Sequence, residues 1–204
     1  MPIAREGWPF ILLPLVLGIG LLAARHPWPG GLLVAIGVFS AIFFRDPERL
    51  VPSGPGLLVS PADGKVVRVA GGAAGSQGTE ISIFLSIFDV HVNRAPIAGR
   101  VAKVEYKPGE FLPAFDDKAS ARNEQNTVTV EDGETRVVFK QIAGLIARRI
   151  VFRKAVGDVL GRGERVGMIR FGSRVDVVVP PGFQVRVRQG DRVQAGTSVL
   201  AARP

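Results

Sequence analysis

Cysteine is absent from the 204 residues of this chain. That excludes disulfides, thiolate nucleophiles and cysteine-ligated metals, while leaving the compartment open. Histidine is almost as scarce, with only His26 and His91. Two histidines this far apart do not make a zinc centre, and no acidic run has EF-hand spacing, so no metal site is expected. Glycine loops of the Walker or dinucleotide-binding type are also missing. Tyrosine occurs once and tryptophan twice, which bears on the net charge of +8. The basic excess gathers around Arg148, Arg149, Arg153, Lys154, Arg162, Arg165, Arg170 and Arg174. Without interleaved aromatics, nucleic acid is a poor partner for that cluster. An anionic membrane surface is the simpler one, attracting about 1 kcal/mol per basic residue close to it. Within the cluster Arg148 and Arg149 are the candidate headgroup contacts, because a guanidinium fork binds two phosphate oxygens at once.

What the chain has in excess is apolar length near its start. Gly7–Ala24 and Pro27–Phe44 are two uncharged stretches of 18 residues, separated by Arg25-His26. Eighteen residues is near the lower limit for a membrane-spanning helix, and Pro14, Gly18 and Gly20 weaken the first stretch as a straight one. A cleaved signal peptide fits poorly, since a second apolar stretch follows at once and Glu6 lies in the leader. A buried core hairpin is the other rival. Residues 45–204 carry enough Val, Ile and Phe for a core of their own, so residues 1–50 are expected to be a membrane-anchoring apolar helical hairpin. Both its ends should lie on the cytoplasmic side of the inner membrane.

From Leu57 onward the pattern is β. Short Val- and Ile-rich runs (57–59, 65–69, 80–84, 101–106, 126–131, 135–141, 166–171, 175–179, 184–187) alternate with Gly, Pro, Asp and Asn turns. Only 142–151 and 156–160 read as short helices. Residues 51–204 are therefore expected to form a mainly β domain, an antiparallel barrel or sandwich. Ser60-Pro-Ala-Asp-Gly-Lys-Val-Val and Gly190-Asp-Arg-Val-Gln-Ala-Gly-Thr-Ser-Val-Leu echo one another and resemble strand-turn segments of lipoyl-type hybrid sandwiches. That implies a sandwich closed by the C-terminal tail. It also keeps open a non-enzymatic reading, a membrane-anchored lipoyl-like adaptor, although Lys65 heads into a strand rather than standing at a hairpin tip.

Three residues carry chemical potential. Gly172-Ser173 interrupts two extended runs, which is ordinary for a bulge but also places a hydroxyl directly after a glycine carbonyl. His91 is the only histidine beyond the apolar stretches, so a histidine base acting near neutral pH must be His91. Asp63 lies in an Asp-Gly turn pair. Together they supply a nucleophile, a base and an orienting carboxylate, as in a serine hydrolase. No Gly-x-Ser-x-Gly elbow surrounds Ser173, however, and a serine so placed can attack its own backbone instead.

Pro61-Ala-Asp-Gly, Phe88-Asp-Val-His-Val-Asn-Arg-Ala-Pro, Asn123-Glu-Gln-Asn, Gln141-Ile-Ala-Gly-Leu-Ile-Ala-Arg-Arg-Ile and Ile169-Arg-Phe-Gly-Ser-Arg-Val-Asp together resemble the short form of phosphatidylserine decarboxylase. The likeness runs over nearly the whole chain, paired apolar stretches included. The Leu-Gly-Ser-Thr of the longer enzymes is replaced by Phe171-Gly-Ser-Arg, and the position of their second histidine is Arg94. The resemblance implies a proenzyme in which Ser173 attacks the Gly172 carbonyl, with His91 as base and Asp63 holding it. Elimination then cuts the chain into a large part, 1–172, and a small part, 173–204, that stay associated. The small chain begins with a pyruvoyl group made from Ser173, whose ketone forms a Schiff base with the amine of phosphatidylserine and serves as the electron sink when CO₂ leaves. Phosphatidylethanolamine is the product.

Deleting Met1–Arg45 should release the protein from membranes without stopping self-cleavage. Sedimentation with vesicles in high salt checks the anchor, and a truncated chain that still sediments contradicts it.

Overall fold

The computed structural model describes residues 2–71, 78–112, 122–144, 149–170 and 173–204. They fall into two compact units, Met1–Glu48 and Arg49–Pro204.

In the first unit a single 3-10 turn, Arg5–Gly7, leads into α1 (Trp8–Ala23), which is followed by α2 (Pro27–Phe43). Prolines near both helix starts fall where a missing N–H is harmless. The helices are joined by a tight turn in which Arg25 takes a left-handed conformation, with φ 62°. Pro14 does not end α1. The glycines that weaken the helix in isolation serve its packing: a Cβ on Gly18 would lie 2.9 Å from the Gly30 carbonyl oxygen, and one on Gly30 would lie 2.9 Å from that of Gly18. Small residues at such a crossing let two helix backbones touch, as helices in lipid commonly do. Ala4 N–H donates to the Phe44 carbonyl (2.8 Å), closing the open end of the hairpin. Leu13, Val16, Leu32 and Trp28 remain largely exposed, so the pair is apolar on its outside as well as inside. The segment Arg5–Ala23 is long and apolar enough to cross a membrane; α2 is shorter.

The second unit is built of strands. In chain order they are β1 (Leu57–Val59), β2 (Gly64–Gly71), β3 (Thr79–Leu85), β4 (Val92–Arg94), β5 (Gly99–Lys107), β6 (Gln125–Asp132), β7 (Thr135–Ala143), β8 (Ile150–Phe152), β9 (Val159–Leu160), β10 (Arg165–Ile169), β11 (Ser173–Val179), β12 (Gln184–Val185), β13 (Arg192–Val193) and β14 (Val199–Ala202). An eight-stranded antiparallel sheet runs β13-β2-β3-β11-β7-β6-β5-β9, accompanied by two three-stranded sheets, β1-β14-β12 and β4-β10-β8. Period-2 alternation turns Ile81, Ile83 and Leu85 of β3, Val175 and Val177 of β11, Val137 and Phe139 of β7, and Val128 and Val130 of β6 to one face, where they join Leu58, Val166, Ile169 and Leu200 in a single core. Fully burying each such side chain stabilises by about 1.5–3 kcal/mol. The architecture is thus mainly β and antiparallel, as the strand pattern implies.

Two sequence echoes turn out to be partners. Leu57 pairs with Ala202 and Val59 with Val199, while Gly64 pairs with Val193 and Lys65 with Arg192. The C-terminal tail therefore closes the sandwich against the first strands of its own domain. A Cβ on Gly64 would sit 2.1 Å from the Phe84 carbonyl oxygen, so this Asp-Gly pair is imposed by a close approach of β2 to β3 as well as by a turn.

Neither helix expected beyond the hairpin forms among the described residues. Ile142 and Ala143 extend β7, and Ile150 and Val151 begin β8. Residues 155–158 make a turn in which the Asp158 carboxylate accepts from Ala155 N–H (2.9 Å), and Val159 and Leu160 form β9. Pairing to existing strands wins over the local apolar spacing.

The other face of β11 is buried too. Arg174 and Asp176, only 1% and 2% exposed, are joined by Nε to Oδ1 at 2.6 Å, and Arg174 Nη2 donates to Ser82 Oγ at 2.7 Å. Removing one member leaves a buried charge uncompensated. Asp176→Ala should lower the unfolding free energy of the full chain by about 3–5 kcal/mol, and the double change Arg174→Met, Asp176→Leu should recover most of the loss. Denaturant midpoints check this; an unmoved midpoint in Asp176→Ala contradicts it.

Candidate active site

Ser173 opens β11 in the middle of the large sheet. It pairs with Leu85 of β3 on one side and Ala143 of β7 on the other. Directly opposed residues share a face, so its side chain points with Leu85 and Ala143 to the core side. It is fully buried, and its Oγ has no hydrogen-bond partner among the described residues. A buried hydroxyl left unpaired costs about 1–3 kcal/mol. The preceding residues pass between sheets, for β10 ends at Ile169 in the sheet with β4 and β8. Phe171 and Gly172 lie outside the described residues.

His91 follows β3 after one turn, which the Asp89 carboxylate fixes by accepting from Ser86 N–H and Ser86 Oγ, both at 2.8 Å. Its ring is buried, and Nδ1 lies 2.9 Å from the Asp89 carbonyl oxygen. A carbonyl only accepts, so Nδ1 carries the proton and Nε2 is the basic nitrogen of the neutral ring. The His91 carbonyl accepts from Ile169 N–H (3.4 Å). The segment between Ile169 and Ser173 is thus held at one end by His91 and at the other by Leu85, six residues before it in the chain.

Asp63 lies beside the same strand, because the Pro61 carbonyl accepts from Arg94 N–H (2.9 Å). Its oxygens take Ala195 N–H at 2.7 Å and the Arg49 guanidinium at 2.7 Å. The described side-chain bonds of Asp63 run to these two, and that of His91 runs to Asp89. Main-chain bonds tie the Asp63 turn to β4, His91 to the end of β10, and Ser173 to β3 and β7. Arg49 and Asp89 were not legible as site residues, since each acts on a partner distant in sequence or through its backbone.

Around Ser173 lies a buried amide chain. Asn126 Nδ2 donates to Gln141 Oε1 (3.0 Å), and Gln141 Nε2 donates to Asn93 Oδ1 (2.9 Å). Nearby, Asn123 bridges the Leu112 and Ala143 carbonyls at 2.8 and 2.7 Å. The clue in sequence was a polar run at 123–126 entering an otherwise apolar strand. Of the headgroup candidates, Arg149 is exposed and its carbonyl accepts from Arg170 N–H (3.3 Å), which sets it beside the chain leading to Ser173. Arg148 lies outside the described residues.

Burial raises the pKa of Asp63 above the usual 3.8; the Ala195 N–H and the Arg49 charge oppose that without cancelling it, and the Asp89 charge adds to it. The folded chain therefore holds this proton more tightly than the unfolded chain. Its contribution to stability is complete below pH 3.8 and is lost as pH rises through the elevated value. Asp63→Asn, which carries no proton to lose, should flatten the fall in melting temperature over that interval. Thermal melts of wild type and variant across the acid range check it, and parallel curves contradict it.

Comparison with known proteins agrees with this geometry. Residues 36–201 match the family model described as phosphatidylserine decarboxylase. A phosphatidylserine decarboxylase proenzyme of Solibacter usitatus is 53% identical over 194 residues, 92% of each chain. Proenzymes of the same name from Azorhizobium caulinodans and Symbiobacterium thermophilum are 47% and 48% identical, covering 98% and 99% of this chain and 89% and 96% of their own. The enzyme of this structure belongs to the phosphatidylserine decarboxylase family.

Proposed function

We propose that the chain cuts itself between Gly172 and Ser173 and then decarboxylates phosphatidylserine to phosphatidylethanolamine at a membrane surface. The observation that carries this reading is the buried Ser173 Oγ at the head of β11, unpartnered among the described residues, with His91 bonded through its carbonyl to Ile169, four residues before Ser173. A serine hydrolase needs its hydroxyl open to an external acyl group, whereas this one is fully enclosed by its own chain. A lipoyl-like adaptor has no use for an orphaned serine.

Cleavage begins with proton transfer from Ser173 Oγ toward His91 Nε2 as Oγ bonds to the preceding carbonyl carbon. The Asp89 carbonyl holds the ring in the tautomer this requires. Collapse breaks the C–N bond and leaves an ester, and removal of the Ser173 α-proton then expels the acyl oxygen and parts the chains. Asp63, neutralised by Arg49 when ionised, limits the charge His91 meets. The dehydroalanine left on the small chain takes up water and loses ammonia to become the pyruvoyl group, which supplies a ketone to bind the substrate amine and accept the electron pair released with CO₂. Ser173 fits that role because its backbone is locked between β3 and β7, which fixes the position of whatever replaces its side chain.

After cleavage the small chain retains β11, β12, β13 and β14. Each pairs with strands of the large chain, or with a strand that does so, and the two chains remain one fold. The apolar hairpin anchors the enzyme to the inner membrane with its ends toward the cytoplasm. The substrate's acyl chains therefore stay in the bilayer, and Arg149, with Arg148 beside it in sequence, contacts headgroup phosphate.

Ser173→Ala should yield one uncleaved, inactive chain, and His91→Ala should accumulate full-length protein. In the wild type, intact mass should show two chains that separate only on denaturation. Borohydride added with phosphatidylserine should fix lipid to the small chain. An active wild type that runs as one intact chain would falsify the reading.

A further inference from the structure

Ser173 Oγ and Asn93 Nδ2 are both buried without a partner among the described residues. Their placement relates them. Gln141 stands opposite Val175, two residues along β11 from Ser173, and so shares the core-side face with Ser173 as its diagonal neighbour. Gln141 holds Asn93 by its Oδ1, and Asn126 holds Gln141 in turn. The chain runs donor to acceptor from Asn126 through Gln141 to Asn93. It therefore ends in an amide N–H with nothing to receive it, on the face from which Ser173 reacts. His91 immediately precedes β4 and Asn93 is the middle residue of that strand, two positions on. Buried donors are normally satisfied, and three amides arranged to leave one over call for an acceptor that arrives later.

We propose that Asn93 Nδ2 is the donor that receives the oxyanion formed when Ser173 Oγ attacks the carbonyl before it. This rests on the self-cleavage reading above. In that step the Oγ–C bond forms, the carbonyl electron pair moves onto oxygen, and the hydroxyl proton passes to His91. When the intermediate collapses, the C–N bond breaks and the proton goes to the leaving nitrogen, giving the ester. The negative oxygen forms two bonds from Oγ, and the diagonal neighbour of Ser173, Gln141, is the residue that holds Asn93. A pre-positioned donor in a water-free site is worth far more than one in water, because no solvent has to reorganise. The amide relay fixes Asn93 through its Oδ1 and leaves its N–H without an acceptor among the described residues, which makes it a positioned donor rather than a core filler.

The test follows conversion of the full-length chain to the large chain during cell-free synthesis with lipid vesicles, with and without hydroxylamine, which cleaves the ester but not the amide. Asn93→Ala should slow conversion by about 10²–10³-fold, the usual loss for one oxyanion donor. The accumulated chain should resist hydroxylamine, because the ester has not formed. Asn93→Asp keeps the acceptor for Gln141 and replaces only the unpaired N–H. Its rate relative to wild type should rise as pH falls, since the neutral acid donates and the carboxylate repels. A purely structural role moves stability but not this ratio, and Asn93→Asp carries the test should Asn93→Ala not fold. Wild-type conversion rates in both variants overturn the assignment, as does rapid hydroxylamine cleavage of the Asn93→Ala chain, which would place Asn93 after ester formation. A wild type that never cleaves defeats the underlying reading instead.

Discussion

Everything at the site depends on β11 being a central strand. Its first residue is laddered to β3 and to β7, so the Ser173 backbone has neighbours on both sides and its side chain has no route to water. An edge strand would leave the hydroxyl solvated and satisfied. In this central strand the core packed on its face encloses the side chain, and its Oγ has no partner among the described residues. Strain of this kind, of order 1–3 kcal/mol, persists only where the surroundings over-determine it. Here they do. Val175 and Val177 on one face of β11 are core residues, and the Arg174–Asp176–Ser82 cluster fills the other.

The same placement accounts for how a fold can survive the loss of a peptide bond. The proposed cut lies where the chain leaves β10, in the β4-β10-β8 sheet, for β11, in the large sheet. The strands downstream are interleaved with those upstream: β14 lies between β1 and β12, and β13 pairs with β2. The tail is bound on both sides of the β1–β2 connection, through Ser60 N–H to the Ser198 carbonyl and Val66 N–H to the Asp191 carbonyl, both at 2.8 Å. A cut before Ser173 would therefore leave the pairings of β11, β13 and β14 with the upstream strands in place.

Much of this was legible in the sequence because it depends on local period. The run Leu57–Val59 coincides with β1, the longer strands fall within a few residues of the Val- and Ile-rich runs, and the apolar stretches give α1 and α2 with ends one residue shorter or equal. The failures have a common cause. Strands of two or three residues, such as β4, β8, β9 and β13, show no alternation of their own and exist only because a partner is already there. The apolar spacing at 142–151 and 156–160 mimics a helix, yet Val156 and Val159 are exposed, so no helix face was being built.

The site divides along the same line. Ser173, His91 and Asp63 were visible as scarce or oddly placed residue types. Their partners were not, because each partnership crosses the chain: Arg49 with Asp63, and Gln141 with Asn93, 48 residues apart. The histidine is oriented by a backbone carbonyl, which no residue pattern announces. That substitution has a chemical consequence. A carboxylate on Nδ1 would stabilise the imidazolium and hold the proton, whereas a neutral carbonyl fixes the tautomer without doing so. In the self-cleavage we propose, a fixed tautomer is what the step needs of His91, since the proton taken from Ser173 Oγ passes on to the departing nitrogen.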